Sequence, residues 1–185
     1  NLTDITFVWF GFDDTSPQQL KTYVHEGTWL LIIAIVLAMI VLLFFFRRNL
    51  NFYPNRKNLL VGAYIWIIQN ALLAVSVAVR NIRYIDFHGL AYKRIGVFLF
   101  LLLVFYGLWT LYRKIQQQKT LYFLLSKNAW AVYALLLCCS AVNWDILITK
   151  YNLQRPTKGA VDVRFMLSTL SDKNLYLLQE HQAQL

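Results

Sequence analysis

Leu59–Val79 reads LLVGAYIWIIQNALLAVSVAV, an apolar run without a charged residue. Its length matches the ~20 residues a helix needs to cross a hydrocarbon core. Three comparable runs accompany it: Trp29–Phe46, Ile95–Tyr112 and Ala129–Thr149. Together they predict an all-α integral membrane bundle of four transmembrane helices. Around it, residues 1–28 form an extramembrane segment and the start of the first helix. Residues 29–155 hold the four spans, and 156–185 form a soluble helical tail. The 185 residues are 58% hydrophobic, 16% aromatic and 15% charged, a balance unlike that of a water-soluble domain.

Charge is arranged by side. The eight lysines and arginines of segments 47–58 and 113–128 have no carboxylate among them, and all nine acidic residues lie elsewhere. Short, strongly basic loops point to the cytoplasm, which places both ends of the chain outside. The net charge of +9 does not imply a nucleic-acid partner, because the cations sit at the ends of apolar runs. Arg47–Arg48, Arg80/Arg83, Lys93–Arg94 and Arg113–Lys114 occupy the positions where membrane helices keep their cations, near headgroups. The expected partners are therefore the lipid bilayer and other membrane or envelope proteins. Adjacent Cys138 and Cys139 point to different helix faces and read as small packing residues. The start at Asn1, without an initiator methionine, leads us to expect a processed product or a piece of a longer chain.

Ser16-Pro17-Gln18-Gln19 is a helix start, with Ser as N-cap and Pro at the first helical position. From there a helix is expected to run to Phe46 and to project from the membrane carrying Lys21, His25 and Glu26. Tyr53-Pro54-Asn55 breaks the next connection. Residues 80–94 read as a mixed-charge connection, and 115–128 as a polar one with an interfacial half-turn at Leu121–Leu125. Beyond Pro156, Asp162–Leu170 and Asn174–His181 read as two short amphipathic helices.

Two sets of polar residues stand where they are costly. Gln69 and Asn70 lie in mid-span, where hydrocarbon offers no hydrogen-bond partner. With Ser76 they fall on or beside a stripe of Gly62, Trp66, Gln69, Leu73, Ser76, Arg80 and Arg83. That stripe marks either an interhelical seam or the lining of a substrate path. The second set gathers at one edge if the runs cross alternately: Glu26, Arg80, Arg83, Asp86, Lys93, Arg94, Asn143 and Asp145. A carboxylate so near the apolar zone needs a partner or water. Pairs such as Asp145 with Arg80 or Glu26 with Arg94 would make the edge a clamp on the helix ends; unpaired, it would be a pocket for an anionic or zwitterionic ligand. His25, Glu26 and His88 are weak metal candidates, since His25-Glu26 lacks the second histidine four residues on. No glycine-rich phosphate cradle or nucleophile elbow occurs, and no cofactor is expected.

Several phrases resemble one bacterial family: Val24-His25-Glu26-Gly27-Thr28-Trp29, Asn49-Leu50-Asn51-Phe52-Tyr53, Tyr64-Ile65-Trp66-Ile67-Ile68-Gln69-Asn70, Ala78-Val79-Arg80-Asn81, Gly89-Leu90-Ala91-Tyr92-Lys93-Arg94-Ile95-Gly96-Val97 and Val142-Asn143-Trp144-Asp145. Over about residues 20–178 the chain is similar to the membrane domain of unknown function 4173. The resemblance implies a multi-pass protein of the bacterial inner membrane with further spans before Asn1, and carries no catalytic residue or substrate. A structural or accessory membrane module that binds a protein partner through the polar edge or the tail is the leading expectation. A transporter or channel component with a polar path through the bundle is the alternative. A membrane enzyme using Glu26 or Asp145 as general base, with His25 or His88, is the third.

Overall fold

The computed structural model describes residues 57–154 and, outside them, 32–38, 40, 41, 44, 169, 170, 176 and 179. Among these residues the fold is all-helical. Four helices have defined bounds: α1 Lys57–His88, α2 Tyr92–Gln116, α3 Leu121–Ala141 and α4 Trp144–Gln154. Residues 32–38 are helical as well. Among the described residues, α1, α2 and α3 are long and apolar enough to cross a membrane.

Three boundaries differ from those read in the sequence, each for a local reason. α1 does not stop at Val79 but continues through Arg80, Arg83 and Asp86, because nothing breaks it before Gly89. At 1.5 Å per residue its 32 residues reach ~48 Å, well beyond a ~30 Å core, so this helix carries its charged last turns out of the apolar zone. The connection to α2 shrinks to residues 89–91. The last apolar run is not one helix over 129–149. Its helix begins eight residues earlier, at Leu121, and ends at Ala141. Leu121–Leu125, read as an interfacial half-turn, is the first turn of α3. Asn143 then restarts the chain as the N-cap of α4, its side-chain Oδ1 accepting from the Ile146 N–H at 3.4 Å.

Both connections on α2 close without proline. Gly89 adopts φ +75°, and its N–H returns to the Ile85 carbonyl at 2.8 Å, the left-handed ending that glycine makes cheap. At the far end of α2 the same conformation falls to Gln118, φ 52°. Lys119 N–H there reaches back to the Lys114 carbonyl at 2.9 Å.

Packing divides into three clusters. In the middle, Ala74 and Val77 of α1 meet Leu101, Val104 and Leu108 of α2, and Ile35 completes the group. At the edge where α1 starts, Ala63, Leu111, Ile115 and Leu124 join α1, α2 and α3. At the opposite edge, Ile85, Leu90 and Ile148 seat α4 on the α1–α2 turn, with Leu170 from the C-terminal segment. The rest of the expected tail helices lies outside the described residues, apart from helical residues 176 and 179. α3 joins α2 chiefly near its own start, where Asn128 Nδ2 donates to Thr110 Oγ1 at 3.0 Å and to the Leu124 carbonyl at 2.8 Å.

The two glycines of α1 and its turn should respond oppositely to an added methyl group. A Cβ at Gly89 would sit 2.7 Å from Asn152 Oδ1 on a left-handed backbone, whereas one at Gly62 meets nothing within 4 Å. Gly89→Ala is expected to lose more than about 1 kcal/mol. Gly62→Ala, in mid-helix, should gain about 0.5–1 kcal/mol. Thermal unfolding of both variants in the same detergent measures the contrast.

Candidate functional site

The turn between α1 and α2 leaves backbone groups without helical partners, and side chains from two other places take them up. Leu90 N–H donates to Asn152 Oδ1 at 2.6 Å, and Asn152 Nδ2 donates to the Leu90 carbonyl at 3.0 Å. One carboxamide from α4 thus clasps both polar groups of one residue, as a neighbouring strand would. Arg94, in the first turn of α2, donates from Nη1 to the His88 carbonyl at 2.8 Å and to the Gly89 carbonyl. Its guanidinium also lies over the Tyr84 ring, 4.6 Å from the centroid. Tyr84 stacks on His88 with ring centroids 4.3 Å apart. Asn81, buried on α1, donates to the Arg94 carbonyl at 2.9 Å.

The third strap runs to α4. The Tyr92 hydroxyl donates to Asp145 Oδ1. Beside it, Trp144 Nε1 donates to the Cys139 carbonyl at 2.9 Å, taking up an orphaned acceptor at the end of α3. Asn81, Tyr92, Arg94, Asp145 and Asn152 are thus directed at one another or at the backbone, whereas the buried Arg80 Nε and Asp86 Oδ1 make no hydrogen bond among the described residues.

The residues expected at the edge are distributed unevenly. Arg80 is buried on α1, Asp86 and Arg94 are half-buried, and Arg83 and Lys93 are exposed. Asn143 is exposed and acts as the α4 cap, while Asp145 is half-buried against Tyr92. Glu26 and His25 lie outside the described residues. His88 is exposed and stacked on Tyr84. Among the described residues no three His, Cys, Asp or Glu side chains gather as a metal centre would need.

The mid-span amides part company. Asn70 is 2% exposed and packed inside, whereas Gln69 is exposed on the outside of α1. Asn70 Nδ2 donates to the Trp66 carbonyl at 2.8 Å, and its Oδ1 is buried without a hydrogen-bond partner among the described residues. Ser76 is buried, but Gly62 and Trp66 are exposed. The stripe drawn from Gly62 to Arg83 is therefore not one lining. The buried residues of α1 are Ala63, Asn70, Ala74, Ser76, Val77, Arg80, Asn81 and Ile85, so of the stripe Ser76 and Arg80 alone are buried.

Reading the sequence did not single out Asn152 or Tyr92 as site residues. For Asn152 a signal was present: Asp145, Ile148, Thr149 and Asn152 recur at the i, i+3, i+4, i+7 spacing of one helix face. Of these, Ile148, Thr149 and Asn152 are buried.

A family model described as Domain of unknown function (DUF4153) covers residues 1–181. The chain belongs to this family. No curated protein and no solved structure matches it. The phrase-level resemblance pointed to the family numbered 4173, while the matched one is 4153; common to both is an uncharacterised domain. For this DUF4153 member, the clasp supplies the geometry that the family description leaves open.

Asn152→Leu removes both partners of Leu90 and should destabilise the domain by about 2 kcal/mol. Amide exchange at Leu90 should accelerate selectively, because that N–H loses its acceptor. Asn152→Asp still accepts from the N–H but cannot donate to the carbonyl, so it should recover only part of the loss. Equal exchange at Leu90 in all three proteins would show that the carboxamide does not hold the turn.

Proposed function

We propose that the chain is an accessory module of the bacterial inner membrane that crosses it four times and holds a membrane helix of a protein partner against α3. The observation that carries this reading is α3 itself. It is a 21-residue apolar helix in which Leu124 is the one buried residue. Trp130 is 66% exposed and Leu136 62%, so most of its surface is turned away from the described bundle.

Lipid alone would tolerate such a helix, but the composition of the exposed side favours a helical neighbour. Ala134, Cys138 and Ala141 are exposed at i, i+4, i+7 spacing, and small residues let two backbones approach closely in a bilayer. At the other end, a shallow hollow of about 320 Å³ is lined by Ser126, Ala129, Trp130 and Tyr133. Trp130 and Tyr133 meet edge-on there, leaving room for a side chain of a partner. The run 29–46 supplies the remaining crossing: its described residues 32–38 are helical, and Ile35 is fully buried against α1 and α2 rather than against α3.

The clasp fits a supporting role. Asn152, Arg94 and Tyr92 are engaged in fixing the turn and seating α4, which favours a clamp over a ligand pocket at that edge. The transporter reading expected Gln69, Asn70 and Ser76 to line one route; Gln69 is exposed on α1 while Asn70 and Ser76 are buried, so the three do not share a face.

A photo-reactive residue placed at Leu137, exposed beside Ala134 and Cys138 on α3, tests the reading in native membranes. The expected product is one discrete protein adduct that disappears when Ala134→Leu fills the small-residue face. Crosslinking to lipid alone, or an adduct indifferent to Ala134→Leu, would refute partner docking on α3.

A further inference from the structure

The edge opposite the clasp is built differently. From Phe87 to Trp144 the chain has no acidic residue, so α2, α3 and their connection present cations without a carboxylate of their own. Lys57, Lys119 and Lys127 are exposed at this edge, where the starts of α1 and α3 meet the end of α2. Arg113 stands among them. Its guanidinium lies over the Trp109 ring at 5.4 Å, and its Nε is buried without a hydrogen-bond partner among the described residues.

Arg113 as a whole is half-buried, and its surroundings indicate what the rest of the guanidinium would meet. Trp109 and Tyr112 are 52% and 40% exposed, as aromatic residues at headgroup depth are. They place Arg113 at the level of lipid phosphates. The guanidinium fork matches two phosphate oxygens, which a lysine does not. α3 opens at the same edge with no side-chain capping bond from Thr120 and no acid in its first turn, leaving its positive end unneutralised.

We propose that Arg113, supported by Trp109 and Lys119, binds the phosphate of an anionic phospholipid headgroup. The exposed Trp109 and Tyr112 rings offer apolar surface beside the charge, which favours a lipid-borne phosphate over a soluble one. The inference rests on α1–α3 crossing the bilayer and is independent of any partner on α3.

The test uses the full chain in vesicles of phosphatidylcholine containing a minority of phosphatidylglycerol, with retained lipid identified by native mass spectrometry. Phosphatidylglycerol should be retained in preference to phosphatidylcholine. Arg113→Gln should weaken that retention about five-fold, the effect of one cation at a membrane surface. Arg113→Lys keeps the charge but not the fork and should fall between. Lys150→Gln, exposed on α4 at the other edge, should leave retention unchanged. Equal retention of the two lipids by the unaltered protein would overturn the proposal, and so would equal losses in Arg113→Gln and Lys150→Gln. Inorganic phosphate that displaces phosphatidylglycerol at millimolar concentration would assign the site to a soluble anion and overturn it as well. The wild-type comparison of the two lipids decides even if Arg113→Gln fails to fold.

Discussion

The Asn152 carboxamide, bonded in both directions to the backbone of Leu90, is the contact on which the architecture turns. A hairpin of long apolar helices must expose backbone polar groups where it reverses, and near a bilayer each such group needs a partner from the protein or from water. Residues 89–91 make that reversal in little more than one turn. Gly89 supplies the backbone shape, Arg94 takes the carbonyls of His88 and Gly89, and Asn152 takes both groups of Leu90. Because Asn152 lies 62 residues from Leu90, satisfying the turn also fixes where α4 must dock. Ile148 and Leu170 then close the apolar part of that edge around Ile85 and Leu90.

The bundle consequently has two unlike ends. At the clasp, Arg94, Asp145, Tyr84, Tyr92 and the amides of Asn81 and Asn152 make contacts within the bundle. At the other end the cations gather without acids, and the helices meet through Ala63, Leu111, Ile115 and Leu124. The asymmetry follows from the order of charges along the chain, since successive helices return alternate connections to the same end of the bundle. The exposed flank of α3 and the basic rim are the surfaces that these internal contacts leave uncovered.

The long apolar helices were legible because runs such as Leu59–Val79 leave no other fold for their length. Helix ends were less so, for reasons that particular residues make clear. Arg80, Arg83 and Asp86 look like a loop by composition, yet each can sit on the last turns of a helix long enough to leave the apolar zone. Residues 115–128 read as a polar connection, yet in the fold Asn128 is turned onto Thr110 and a carbonyl, so its polarity is internal to the helix pair. The break at Val142–Asn143 contains neither proline nor glycine and rests on one asparagine cap and the Trp144 indole. Gln69 and Asn70 are ~100° apart on a helix, so a stripe drawn one position off exchanges the buried amide for the exposed one. Asn152 depends on a pairing across 62 residues, which a local pattern does not carry.

The way α3 is held has a mechanical consequence. It is fastened to α2 near Leu124 and Asn128, while its far end continues through the short link at Val142–Asn143 into α4. A rod of 21 residues is ~32 Å long, and a lean of about 10° displaces its distant tip by about 5 Å. That tip cannot drift independently. Any such lean would pull on the short helix bearing Asp145 and Asn152, which couples α3 to the hairpin bend that Asn152 clasps.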